Sequence, residues 1–390
     1  MEVHKVKLGE VAAVKGGKRL PKGIQLITIP NTHPYIRVRD LNNSRVLELD
    51  NSFEYVDDET QKTISRYVVE AGDIVLSIVG TIGLVSIVGE TLNGANLTEN
   101  CVKLTSLSDV NRDFLYYYLR SAYGQNEIMR GTVGAVQAKL PIKNIQNITL
   151  YLPDDNTQRR ITTVLGALDN KIETNQKIND NLQQQASALF DNFYERAVAE
   201  VRFTEIIQIL GGGTPKTGES SYWNGTIPFF TPKDVGSPYT LSTEKVITEE
   251  GLAHCNSRLY PMNTVFVTAR GTVGKVGISG VPMAMNQSCY ALIGKDTHQL
   301  LVYFYTLKAV HRLKHKASGA VFDAITTRDF DSEGIMKLSA DDTKAFLDVA
   351  EPMYQILLSN SIENLRLAAL RDSLLPKLMS GEIDVSGIDL

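Results

Sequence analysis

At 390 residues, 43% hydrophobic and 22% charged, the chain is long enough for two or three domains with packed cores and is not a disordered sequence. Forty Lys and Arg against 44 Asp and Glu leave a net charge of -4, which argues against indiscriminate polyanion binding and requires any nucleic-acid surface to be a concentrated patch. Cys101, Cys255 and Cys289 are widely spaced with no CxxC, against a disulfide framework or a zinc site, and no run reaches the roughly 20 apolar residues of a membrane helix. A soluble, cytoplasmic protein with no membrane partner is expected.

In chain order, apolar or alternating runs at Tyr35 to Val38, Ile74 to Val79 and Leu84 to Val88 predict strands separated by Gly-rich turns. A helix is predicted over about Arg112 to Tyr123, with apolar spacing at Phe114, Leu115, Tyr118 and Leu119, then a Gly loop and a last strand over Ile148 to Leu152. A long helix follows from Thr157 to about Arg196, with Asp155 and Asn156 as acceptors for its first N–H groups. Its apolar residues fall on two seven-residue rows, Ile161, Leu168, Leu182, Leu189 and Leu165, Ile172, Ala186, Phe193, with Asn175 and Asn179 as polar seam positions.

The second half repeats the first at a drifting offset. It is 195 where Gly16, Gly17 and Gly23 match Gly211, Gly212 and Gly218, 194 at Arg39 against Lys233, 191 where the Gly80–Gly83 turn meets Gly271–Gly274, and 188 at Cys101 against Cys289. The counterpart of the predicted Arg112 to Tyr123 helix is expected at about His298 to Lys314; from Gly134, Ala135 and Val136 against Gly319, Ala320 and Val321 onward the offset is 185 and stays so through the long helix into a second seam: Phe346, Met353, Leu367, Leu374 and Ala350, Leu357, Leu378. Ser380 and Gly381 stop that helix.

The expected fold is α+β: two similar mixed α/β domains (1–155 and 200–341), joined and separated by two long antiparallel coiled-coil helices (156–199 and 342–390), a tandem duplication with a pseudo-two-fold. Asn175 maps onto Asn360 and Asn179 onto Asn364, so antiparallel pairing sets Asn175 beside Asn364 and Asn179 beside Asn360. A forty-residue helix is roughly 60 Å long, comparable to one or two turns of B-DNA. A fragment of residues 1–199 carries a seam that its twin can fill, so it is expected to form a homodimer.

Catalytic motifs are absent. Gly271 to Lys275 is too short for a phosphate loop, there is no HExxH or GxSxG, and no Asn-Pro-Pro-aromatic tetrapeptide for methyl transfer. A nuclease-like match, Pro153 and Asp154 with Asp169, Asn170 and Lys171, lies on the long helix flanking the seam rather than on a convergent core, so no catalytic or metal residue and no cofactor is assigned.

The strings GGTPKTG (212–218), YWNG (222–225) and IPFFTPKD (227–234), with QRRI (158–161), LDNKIE (168–173) and LLPKLMSGEI (374–383) on the helices, resemble the specificity subunit of type I restriction-modification enzymes over essentially the whole chain. The resemblance implies a subunit without catalysis of its own: two target recognition domains each reading half of a bipartite double-stranded DNA sequence. It also implies a helical spacer docking two methyltransferase subunits and, through them, restriction subunits. Partner chemistry, adenine methylation and ATP-driven cleavage, comes from the resemblance alone. Two departures stand out: Thr157 where the family usually has Glu, and Pro352 inside the second helix, which should kink or delay it. Other classes compatible with the residues are a stand-alone DNA-binding regulator and a protein-binding scaffold.

Candidate DNA contacts are Lys18, Arg19 and Lys22 in the first Gly-rich loop and Thr214, Lys216 and Thr217 in the second, read either as phosphate or base contacts or as solvated hairpin tips. Arg39 and its equivalent Lys233 join them, as do Gln137 and Lys139, whose counterparts Phe322 and Ala324 differ in chemistry, and Arg270, whose counterpart is Val79. Lys308, Arg312, Lys314, His315 and Lys316 are as consistent with helix-end stabilisation as with DNA. Tyr116, Tyr117 and Tyr118 offer stacking faces, although helical spacing sends at least one into the core. Cys101 and Cys289 read as small buried hydrophobes on equivalent strands.

Overall fold

The computed structural model describes residues 3–41, 44–134, 136–236, 238–316 and 324–385, so Ala135 and the Gly319, Ala320, Val321, Phe322 stretch lie outside the described residues. By internal contacts the chain divides into two units, Met1–Ile172 with Arg366–Leu390, and Glu173–Leu365.

The first unit runs β1 (Val3–Lys7), α1 (Leu8–Val11), β2 (Ala13–Gly16), β3 (Tyr35–Ile36), β4 (Val46–Leu47), α2 (Asp58–Ile64), β5 (Ile74–Ser77), β6 (Val85–Val88), β7 (Asn96–Leu97), β8 (Cys101–Thr105), α3 (Arg112–Arg120), α4 (Ala122–Gly131), α5 (Ile142–Gln146) and β9 (Thr149–Pro153), then enters α6 (Asp155–Arg196). Five strands form a sheet in the order β2-β8-β5-β6-β4, antiparallel except for the β4–β6 pair. β5 and β6 are buried at every position because both sheet faces are covered. Ile74, Leu76, Val85 and Ile87 pack with Phe114, Leu115 and Leu119 of α3, while Val75 and Val88 pack with Ile36 and Leu97.

One predicted helix is two. Ser121 is extended (φ -65°, ψ 162°) and its Oγ accepts from Gly124 N at 3.3 Å, so it ends α3 and caps α4. Tyr116, Tyr117 and Tyr118 are all buried, which removes the stacking faces expected of them.

The second unit repeats the plan with β10 (Ala199–Arg202), α7 (Phe203–Ile206), β11 (Ile207–Gly211), β12 (Trp223–Phe230), β13 (Tyr239–Thr240), β14 (Lys245–Ile247), α8 (Glu249–Ala253), β15 (Val265–Thr268), β16 (Val276–Ser279), β17 (Ala284–Met285), β18 (Cys289–Gly294), α9 (Gln299–Lys316), α10 (Thr327–Asp331), β19 (Gly334–Lys337) and α11 (Ala340–Ser380). Its sheet order, β11-β18-β15-β16-β13, is that of the first unit strand for strand. Cys101 and Cys289 open the equivalent strands β8 and β18; burial pushes both thiols up to about 12, as expected of inert core groups.

The long helices pair antiparallel in each unit. In the second, Asn175 Nδ2 donates to Asn364 Oδ1 at 2.9 Å and Asn360 Nδ2 to Asn179 Oδ1 at 2.9 Å, as the seam arithmetic requires. Arg196 meets Asp342 at 2.6 Å further along. Leu165 and Leu357 are fully buried, and Leu168, Ile172, Leu182, Leu189, Met353, Leu367 and Leu374 are half-buried along the same seam. The start of α6 is capped one to two residues earlier than expected. Asp154, not Asp155 or Asn156, accepts from Thr157 N at 3.0 Å and from Thr157 Oγ1 at 2.6 Å, which gives Thr157 a role of its own. At the start of α11 the Ser339 hydroxyl accepts from Asp342 N at 3.1 Å. Pro352 neither delays nor breaks α11. Pro352 and Asp348, whose carbonyl loses its intrahelical donor, are both exposed, so water can satisfy that carbonyl.

In the first unit the seam is flanked by charge. Arg371 Nη1 donates to Asp169 Oδ1 at 2.7 Å, and Tyr117 Oη donates to Asp169 Oδ2 at 2.6 Å, tying α3, α6 and α11 together. This changes the expectation for fragment 1–199. Shifting Arg371 back by the repeat offset gives Ala186, so a homodimer in the same register sets buried Asp169 against alanine. The fragment should therefore self-associate weakly, and Asp169→Ala should tighten the dimer by about tenfold or more, since an unpaired buried carboxylate is removed. Sedimentation equilibrium checks this; equal dissociation constants would show that Asp169 is solvated in the dimer.

Candidate nucleic-acid interface

Three segments converge at one end of each five-stranded sheet, held by equivalent bonds. The Gly-rich loop leaves β2 or β11 and lies against the turn that joins β7 to β8 or β17 to β18. Lys18 N donates to Leu97 O at 2.8 Å and Gly213 N to Met285 O at 3.1 Å. The approach is so close that a Cβ at Gly17 would sit 2.0 Å from Thr98 O, and one at Gly212 2.2 Å from Asn286 O, so only glycine is accommodated at either position.

The second segment is the Gly-Thr-aliphatic-Gly turn after β5 or β15, whose glycines take positive φ (Gly80 79°, Gly83 92°, Gly271 82°, Gly274 74°). A hydroxyl closes each turn: Ser77 Oγ donates to Thr81 O at 2.6 Å, and Thr268 Oγ1 donates to Thr272 O at 2.5 Å. The far side is pinned by a helix side chain, Gln125 Nε2 to Gly83 O at 3.0 Å and Lys314 Nζ to Gly274 O at 2.9 Å.

The third segment is the chain entering the last helix and strand, which bridges residue for residue to the start of that turn. Val79 pairs with Lys139 in the first unit and Arg270 with Ala324 in the second. The two bridges occupy the same place, each holds one cation and one aliphatic residue, and the cation has crossed from one side to the other. Lys139 and Arg270 are exposed, and neither has an ion pair among the described residues.

Around this frame the first unit places Arg19, Gln137 and Lys139 on one groove of about 530 Å³, with Glu99 and Asn100 on the same wall. Arg19 Nε donates to Glu99 Oε1 at 2.6 Å. In the second unit the same two positions are Thr214 and Gln287, and Thr214 Oγ1 donates to Gln287 Oε1. Glu99 and Gln287 were not singled out in the sequence. The signal was there, because each lies two residues before an aligned cysteine and the pair differs in charge.

The remaining candidates stand elsewhere or at the edge. Lys18 lies 5.6 Å from the Tyr67 ring centroid; Lys22, Lys216 and Thr217 are exposed on the loops. Arg39 is bound to Glu54 at 2.9 Å, and Lys233 stands 3.6 Å from Glu244. The basic cluster on α9 is engaged by protein: Lys308 with Asp191 at 2.9 Å, Arg312 and Lys316 with buried Glu333, Lys314 with Gly274 O, and His315 with His311 at 3.1 Å. Those bonds brace the end of α9 and the neighbouring turn.

The profile of the type I restriction modification DNA specificity domain matches residues 1–184 and 195–337, one match for each repeat. This chain belongs to that family. The family is described by DNA specificity in type I restriction modification. The chain is 33% identical over 127 residues to the MjaIX specificity subunit of Methanocaldococcus jannaschii, a match covering 31% of this chain and only 29% of that protein. It is 23% identical over 326 residues to the HindI specificity subunit of Haemophilus influenzae, covering 63% of this chain and 71% of the relative. In three dimensions it is similar to the S subunit of a type I restriction-modification system from M. genitalium, with a TM-score of 0.58 and 15% identity over 97% of this chain and 96% of the other, an agreement of fold. Among the described residues no helix of the specificity subunit is long and apolar enough to cross a membrane.

Proposed function

We propose that the subunit reads a bipartite, asymmetric DNA target, one half with each unit, in the cytoplasm, and that its paired helices dock two methyltransferase subunits and through them the restriction subunits. The reading makes it a non-catalytic scaffold whose partners carry the chemistry. Its main support is the crossed cation. Two repeats keep one backbone frame and differ in the donors and acceptors mounted on it, as required of two readers of different half-sites. Lys18, Lys22, Lys216 and Thr217 on the Gly-rich loops are suited to phosphate, since charge there positions without selecting sequence. Docking on the helices is supported by Ile178, Val349, Ile356, Leu365 and Leu370, aliphatic side chains on α6 and α11 that stay exposed.

Arg270 is the test of the DNA reading. An arginine bidentate to guanine contributes about 1 to 3 kcal/mol of discrimination, whereas a phosphate contact weakens all sequences alike. Arg270→Ala is expected to lower affinity for the native target by that amount and to leave binding to DNA with a scrambled second half-site nearly unchanged. Competition binding at fixed salt, with the methyltransferase present, measures it. Equal loss on both DNAs would reassign Arg270 to the backbone.

A further inference from the structure

We propose that Glu99 and Gln287 are base-reading residues, each setting the base preferred at one equivalent position of its half-site; this rests on the reading that both units contact DNA. The two side chains occupy the same turn in a frame held on both flanks by matching bonds. On one flank lie the loop bonds to Leu97 O and Met285 O; on the other, Ile78 N donates to Asn100 O and Ala269 N to Ser288 O, both at 2.8 Å. The backbone is therefore common, and the difference between the repeats is confined to what the side chain offers. Glu99 is a pure acceptor, whereas the Gln287 amide accepts and donates.

Each side chain is held at the tip of the frame by one residue of the Gly-rich loop, Arg19 or Thr214. Arg19 is 81% exposed, and an ion pair so open to water is readily exchanged for another partner. Gln287 is exposed, and its Nε2 has no partner among the described residues. Beside each stands the bridge cation, Lys139 or Arg270, so a DNA edge brought to the cation also reaches the turn. A carboxylate at this place accepts from the N4 amino group of cytosine, and a glutamine amide pairs bidentately with N6 and N7 of adenine. The pairing to Arg19 or Thr214 sets the side chain before DNA arrives and is replaced by the base edge.

The experiment is selection of the full-length chain, bound to its methyltransferase partner, from a pool of DNA duplexes randomised across both half-sites. Glu99→Gln should switch one first-half position from cytosine to adenine by on the order of tenfold in preference and leave the second half-site as it was. Gln287→Glu should do the converse. Both replacements keep side-chain length, and Glu99→Ala and Gln287→Ala should each relax that single position. Variants that select the wild-type consensus, or that lose preference across a whole half-site, would overturn the assignment while leaving DNA recognition intact. A wild-type chain that selects no consensus would overturn the functional reading, and this inference with it.

Discussion

Arg371→Ala is expected to destabilise the first unit by about 3 to 5 kcal/mol, the usual consequence of removing one partner of a buried ion pair. Asp169 is only 4% exposed and receives two hydrogen bonds, from Arg371 and from the Tyr117 hydroxyl. Burial, with the Asp169 charge adding to it, pushes the Tyr117 hydroxyl above its ordinary value, so it remains a donor throughout the neutral range. Tyr117 alone cannot neutralise the carboxylate once the guanidinium is gone. Replacing both members with apolar residues, Asp169→Leu with Arg371→Met, should recover much of the loss, because no charge is then stranded. Denaturant unfolding followed by hydrogen exchange in α3 and α6 measures both. A single variant within about 1 kcal/mol of wild type would mean that water reaches Asp169 when Arg371 is absent.

Phe190→Ala should cost the second unit about 3 to 5 kcal/mol by a different mechanism, a cavity. Phe190 is fully buried, stacked on Phe304 with centroids 4.9 Å apart and met edge-on by Phe346 at 5.5 Å and Tyr305 at 5.6 Å. These rings come from α6, α9 and α11, and three packed helices cannot close over the vacated volume. Phe190→Leu should recover part of the stability. Thermal unfolding is the measurement, and a loss below about 1 kcal/mol would show that the helices relax into the space.

The two variants expose how far the duplication has diverged. By the repeat offset Asp169 corresponds to Tyr354 and Arg371 to Ala186, so the polar tie of the first unit is replaced in the second by an aromatic ring and a methyl group. Tyr354 lies among Tyr239, Tyr303 and Phe304. Each half of each long helix thus carries its own complement, and a half-chain paired with its twin loses part of it.

The amino-acid sequence by itself determined the repeat, the two long helices, their antiparallel pairing and the facing amides Asn175 with Asn364 and Asn179 with Asn360. These follow from a periodicity that is local along the chain and from one constant offset, so no distant information was needed. The Gly-Thr-aliphatic-Gly turns were legible for the same reason, since positive φ selects glycine wherever the turn lies. Tertiary structure alone decided which partners the charges meet. The fold alone brings Glu54 to Arg39, and Asp191, Glu333 and the Gly274 carbonyl to the α9 cations. Asp169 flanks the seam in the sequence, and only the structure brings Tyr117 and Arg371 onto its carboxylate. The convergence of Arg19 with Glu99, and of Thr214 with Gln287, joins residues 80 and 73 positions apart. Hydrophobic period reports which face of an element is buried, but which polar side chains meet at the end of a sheet depends on how non-local strands are paired.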